Sequence, residues 1–189
     1  NRQITATMET AATAEASAAI NLSNDATARD LIFANSTLGS PLKVSGIIAN
    51  GSGATHRLHI ASGLGYVVVS GNNTYTGGSF VADGGRLRIA HSNALGLGVG
   101  NTVVEVTRGG ALELDGSTAN GAVNISGKVL RLRSDGGAYG HRGMQFGAVR
   151  NIAGDNSWTN AGTGLSLGAV DLKTTNGGTD GTVRNFWIA

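Results

Sequence analysis

The stretch from Gly84 to Gly116, GGRLRIAHSNALGLGVGNTVVEVTRGGALELDG, decides how this chain folds. It contains three triplets of one design: Leu87-Arg88-Ile89, Val104-Glu105-Val106 and Leu112-Glu113-Leu114. Successive side chains of a strand point to opposite faces, so each triplet turns two aliphatic groups one way and one charge the other. "GGRLRI" at 84–89 and "GGALELDG" at 109–116 look like successive units of one repeat. Similar triplets stand on both sides: Leu42-Lys43-Val44, Leu58-His59-Ile60 and Val67-Val68-Val69 before, Leu130-Arg131-Leu132 and Leu165-Ser166-Leu167 after. Turn-forming pairs separate them, including Asn-Gly at 50–51 and 120–121 and Asp-Gly at 83–84, 115–116 and 135–136. After Ile20 no helical period of adequate length appears.

Many short strands with regular corners leave a sandwich, a barrel or a β-solenoid. Two features favour the solenoid, in which each coil contacts only its neighbours. One is the local repeat. The other is the run of middle residues Arg88, Glu113 and Arg131, which stacked coils would place as a plus–minus–plus column on the outside. An exposed cross-strand ion pair contributes ~0.2–1 kcal/mol, and a buried Leu or Ile ~1.5–3 kcal/mol. The inward aliphatic ladder should therefore hold the fold, and Leu112→Ala should cost several times more than Glu113→Ala.

Composition narrows the classes further. A chain of 189 residues is long enough for a sizeable core. Its 31 Gly lack the three-residue period of collagen, and 40% apolar residues argue against disorder. With only 5% aromatics, the core should be narrow and aliphatic. The net charge of +2 is dispersed, with no basic run, so no nucleic-acid partner is expected. The absence of cysteine removes disulfides, thiol catalysis and thiolate metal sites. No window of about 18 apolar residues exists, so no transmembrane helix is expected.

One unit occurs twice. "GNNTYTGG" at 71–78 returns as "GDNSWTNAG" at 154–162. Asn72, Asn73 and Asn156 suit corners, where Asn tolerates left-handed φ and satisfies free backbone groups. Tyr75 and Trp158 would pack beside those corners, with Gly77 and Gly78 completing the first of them. The alternative is that Tyr75 and Trp158 contact a carbohydrate.

Residues 62–116 resemble the passenger-associated repeat of bacterial autotransporters. The matching pieces are Val67–Ser70, Asn73–Gly78, Val81, Gly85, Leu87, Ile89 and Ala94-Leu95-Gly96. Residues 147–172 resemble a variant of that repeat, with Asn160-Ala161 in place of the double Gly. The resemblance implies a right-handed parallel β-helix on a secreted or surface-displayed bacterial protein.

Residues 3–23 alternate, with Ile4, Met8, Ile20 and Leu22 among the apolar positions. The alternation fits a strand, although Ala, Met and Glu also form helices. Residues 1–30 are thus expected to be an extended arm or the first coils, and 31–189 the β-helix. An arm could pair with a neighbouring subunit through Ile4, Met8, Ile20 and Leu22. The apolar Phe186, Trp187 and Ile188 are further candidates for assembly contacts.

Chemistry is thinly represented. His56 and His59 are three apart, which on a strand puts them on opposite faces and makes a poor metal clip. His91 and His141 are isolated. No Gly-x-Ser-x-Gly elbow is present. Glu105, Glu113, Asp115 and Asp135 could line one face as in glycan-cleaving β-helices, but they alternate with Arg. Asp83, Asp115 and Asp180 lack the nonapeptide repeat of calcium-binding rolls. No catalytic residue, metal or cofactor is assigned. The expected function is that of a non-catalytic extracellular structural protein, a unit of a surface fibre or passenger stalk that assembles with its own copies. The alternatives are an adhesin module binding a glycan or protein, and a glycan-active enzyme.

Overall fold

The computed structural model describes residues 2–6, 14–23, 27–51, 55–61, 63–98, 102–117, 121–133, 148–159 and 170–172. These are all-β, with no helix. The strands fall into successive passes of the chain. The first pass holds β1 (Arg2–Ala6), β2 (Ala14–Ala16) and β3 (Ile20–Ser23). The second holds β4 (Asp30–Asn35), β5 (Pro41–Val44) and β6 (Ile48–Gly51). Then come β7 (Arg57–Ile60) and β8 (Tyr66–Val69), and after them β9 (Ser79–Val81) and β10 (Arg86–Ile89). The fifth pass holds β11 (Val103–Thr107), β12 (Ala111–Asp115) and β13 (Asn124–Ser126). The sixth holds β14 (Val129–Arg133), β15 (Val149–Ala153) and β16 (Asn156–Thr159), and β17 (Val170–Leu172) follows.

Two six-stranded sheets organise these passes. Sheet I has the order β1-β4-β7-β9-β11-β14, and sheet II the order β15-β12-β10-β8-β5-β2. Small sheets β3-β6 and β13-β16-β17 make a third set. Every neighbouring pair is parallel except β16 with β17. Parallel neighbours need a crossover, usually through a helix. Here the crossover passes through the other sheets: the chain visits sheet I, sheet II and the third wall in turn. Sandwiches are built from antiparallel pairs, so the pairing excludes that alternative and is compatible with a β-solenoid.

Register explains why the triplets recur. In sheet I, Leu31, Leu58, Ser79, Val104 and Leu130 lie side by side, as do Phe33, Ile60, Val81, Val106 and Leu132. In sheet II the matching rows are Leu42, Val67, Leu87, Leu112 and Val149, then Val44, Val69, Ile89, Leu114 and Asn151. Leu22, Ile48, Tyr75, Leu95, Ile125 and Trp158 close the core from the third side. A one-residue slip would turn every aliphatic side chain outward, so burial fixes the register.

The turns after β9 and β11 are built alike. Asp83 (φ 54°) and Gly84 (φ 77°) both lie in the left-handed region, as do Arg108 (φ 48°) and Gly109 (φ 76°). Two successive positive φ values suit a tight corner that follows the strand twist. The two tips are joined by Arg108 Nε to Asp83 Oδ1 at 2.8 Å and by Gly84 N–H to Arg108 O at 3.0 Å.

The N-terminal residues are part of this ladder. β1, β2 and β3 pair with β4, β5 and β6, so the described part of residues 1–30 forms a first pass, with strands where a helix was the alternative. Leu22 is 3% exposed in the core and Ile20 packs against it. Alternation aims Leu22 at the chain's own interior, which leaves it no surface for another subunit. Ile4 takes its place in β1 opposite Phe33. Met8, Phe186, Trp187 and Ile188 lie outside the described residues.

Candidate functional site: corners and outer faces

The repeated Asn unit is a corner device through its side chains and not through left-handed φ, which none of Asn72, Asn73 and Asn156 adopts. Asn73 is fully buried; its Oδ1 accepts the Ile48 N–H at 2.8 Å and its Nδ2 donates to Ala94 O at 2.7 Å. One amide thereby joins the pass before to the pass after. Asn156, 2% exposed, repeats half of this, accepting the Val123 N–H at 2.7 Å. Its Nδ2 instead stays within its own corner, on Asn151 Oδ1 and Ala153 O. Buried backbone groups left unpaired are costly, which is why Asn fits here. Asn72 is exposed and bonds Asn93 across passes at 2.9 Å.

Two residues after each buried Asn stands the aromatic. Tyr75 is 0% exposed and Trp158 3%. The Tyr75 hydroxyl meets Ser79 Oγ at 2.7 Å, and Trp158 Nε1 donates to Lys128 O at 3.1 Å. Ser79 interrupts an otherwise aliphatic row because that hydroxyl needs a partner. Burial also raises the Tyr75 phenol above its ordinary pKa. With no open ring face, neither aromatic offers a surface to a sugar.

The outer face of sheet II carries a denser cluster. Its central row reads Glu15, Lys43, Val68, Arg88, Glu113 and Arg150. Glu113 points away from the aliphatic core yet is 0% exposed, because three guanidiniums roof it. Arg86 reaches Oε1 at 2.6 Å, Arg150 the same oxygen at 3.3 Å, and Arg88 reaches Oε2 at 2.9 Å. The guanidinium carbons of Arg86 and Arg88 lie 5.2 and 4.5 Å from the Tyr66 ring centre, a distance suited to cation–π attraction. The cluster joins β8, β10, β12 and β15.

This corrects the single outer column of Arg88, Glu113 and Arg131. Arg88 and Glu113 are neighbours, but Arg131 lies in sheet I beside Glu105. The chain runs through β13 after β12, so its next triplet lands on sheet I. The sequence did not reveal Tyr66, Arg86 or Arg150 as members. Arg86 lies two positions before Arg88, hence on the same face, but only the register shows that both reach one carboxylate.

Sheet I has a different outer row: Ile32, His59, Phe80, Glu105 and Arg131. His59 packs edge-on to Phe80, with ring centres 5.1 Å apart. Burial there pushes its imidazole pKa down, opposed by Asp30 and Asp83. Glu105 is bridged by Arg131 at 3.3 Å and Arg133 at 3.5 Å. Alongside lies a groove of about 530 Å³ between Thr55 and Arg57 on one side and Thr102 and Val103 on the other. Gly77 and Gly78 line it, and neither position has room for a side chain. A Cβ at Gly77 would fall 2.0 Å from the His56 oxygen, and one at Gly78 2.4 Å from the Val103 oxygen.

The remaining candidates are dispersed. Glu105 belongs to sheet I and Glu113 and Asp115 to sheet II, so these carboxylates do not form one row. Asp135, His141 and Asp180 lie outside the described residues. His56 is buried and its Nδ1 accepts the Arg29 N–H at 2.9 Å, while His59 faces outward. Among the described residues no group of three or more His, Cys, Asp or Glu could hold a metal ion. No helix among them is long and apolar enough to cross a membrane. Lys128, which sequence reasoning missed, is 3% exposed and donates from Nζ to Gly98 O at 2.7 Å. Burial lowers its pKa to about 8.

Compared with protein-family models, with curated proteins and with solved structures, the chain matches none.

Proposed function

We propose that this chain is a right-handed parallel β-helix that serves as a non-catalytic structural unit, secreted or displayed at a bacterial surface, and that it assembles with copies of itself into a stalk or fibre. The observation that carries this reading is the in-register parallel ladder, in which rows of mostly aliphatic side chains run across five or six strands. Such a stack is quasi-one-dimensional, and its ends are its reactive surfaces. Among the described residues, β1 and β2 pair on one side only at one end of the sheets, and β14 and β15 at the other. An edge strand of a parallel sheet can extend the ladder by pairing with another strand. A head-to-tail contact between the two ends does not close on itself and so propagates.

Two further features fit a structural role. The most polar outer cluster is internally paired, with both oxygens of Glu113 occupied by guanidiniums. The Asn and aromatic corners serve to join passes. The autotransporter-like repeat at 62–116 supports the surface location. Negative-stain microscopy and sedimentation across a concentration series test the proposal. Filaments or mass growing with concentration are expected; a monomer at every concentration overturns the assembly.

A further inference from the structure

We propose that the groove on the outer face of sheet I binds a neutral oligosaccharide. This does not depend on the assembly proposed above. The volume of about 530 Å³ falls within the ~300–1,000 Å³ common for small-ligand sites. Gly77 and Gly78 line the groove where the backbones of neighbouring passes approach too closely to admit a Cβ.

The chemistry of the walls selects the ligand class. Phe80 is an aromatic ring on a solvent-facing row, half-buried, with His59 holding it edge-on. Such a ring suits the C–H face of a pyranose, which is apolar while the rim of the sugar is hydroxylated. Thr55, Thr76 and Thr102 supply hydroxyls around it. Each cation in the groove has a carboxylate partner. Arg57 makes a two-pronged pair with Asp30 at 2.8 and 2.9 Å, and Arg131 bridges Glu105 at 3.3 Å. Paired charges still donate and accept hydrogen bonds, and the pairing weakens the positive field that would draw an acidic polymer. An apolar peptide side chain would strip water from these polar groups and return no hydrogen bond. A polyhydroxylated, uncharged chain satisfies the ring and the rim together.

The test titrates the purified chain with maltohexaose, cellohexaose, laminarihexaose and chitohexaose, and in parallel with polygalacturonate and heparin. Binding is followed by calorimetry and by backbone amide shifts. At least one neutral hexasaccharide is expected to bind with micromolar to millimolar affinity and to move the amides of Gly77, Gly78 and Val103. Phe80→Ala should weaken that binding about tenfold or more, equivalent to ~1.4 kcal/mol, while Tyr66→Ala on sheet II leaves it unchanged. The amide shifts use the unmodified chain, so the test stands even if Phe80→Ala misfolds. Binding of the acidic polymers alone, no binding of any neutral sugar at millimolar concentration, or shifts confined to other faces would each overturn the proposal.

Discussion

Glu105 and Glu113 occupy the same place in the same kind of triplet, yet they end in different environments. Glu105 is 18% exposed at the side chain, and its partners Arg131 and Arg133 are 44% and 63% exposed. Glu113 is 0% exposed, under Arg86, Arg88 and Arg150 at 13–21%. The backbone cannot distinguish them. What differs is the number of arginines that the neighbouring passes bring alongside, and the Tyr66 ring beside Arg86 and Arg88. A pair at the rim shares its field with water, whereas a roofed pair has lost that water and depends on its partners.

The sharpest way to break this comparison is to set core against cluster. Leu112→Ala should cost ~2–5 kcal/mol, because it opens a cavity in a row that continues on both sides. Glu113→Ala should come close, at ~3 kcal/mol, because three arginines lose one shared carboxylate. Chemical denaturation of both variants checks this, and a loss under 1 kcal/mol for Glu113→Ala would place the cluster in water. The structure thus revises the expectation that Leu112 outweighs Glu113 several-fold.

Asn73→Ala should follow at ~2 kcal/mol, since the Ile48 N–H and Ala94 O lose their partner inside the core. Amide hydrogen exchange should speed up at Ile48 first. Glu105→Ala should cost under ~1 kcal/mol and respond to salt, unlike Glu113→Ala. If both glutamates show the same loss and the same salt response, the contrast between the faces fails.

The smallest effect is a slope. Lys128 is a buried cation held by a carbonyl, with no ion pair among the described residues. Its folded pKa of about 8 lies below the ordinary lysine value near ~10.4. Between those two values the unfolded chain binds the proton and the folded chain does not, so stability gains a rising contribution with pH. Below about pH 8 the cost of burying the charge is fully present. Relative to Lys128→Met, the native chain should therefore gain stability as pH rises from 8 towards 10, a trend that paired thermal melts will register.

How much of this was legible depends on the range of each interaction. The core was readable because alternation is local: every triplet places its outer members inward, from Leu42 to Leu114. The Asp83-Gly84 corner was readable for the same reason, whereas Arg108 at positive φ was not, since Arg carries no such preference. The Asn73 and Asn156 units could be read as corners because one solution is repeated, but their partners Ile48, Ala94 and Val123 could not. The Phe80 groove left no mark in the sequence beyond a double glycine.

The sequence by itself determined period-two strands, tight corners and a narrow aliphatic interior. It did so because side-chain direction in a strand depends only on position along it. The tertiary structure alone decided which strand lies beside which, and so sent Arg131 to Glu105, gathered Arg86, Arg88 and Arg150 over Glu113, and turned residues 20–23 into part of the chain's own third wall. Those outcomes rest on loop lengths between triplets. From Leu87 to Leu112 the chain returns to sheet II after 25 positions, but from Leu112 to Val149 after 37. No triplet records how far the chain travels before its next neighbour, and that distance sets the electrostatics of each face.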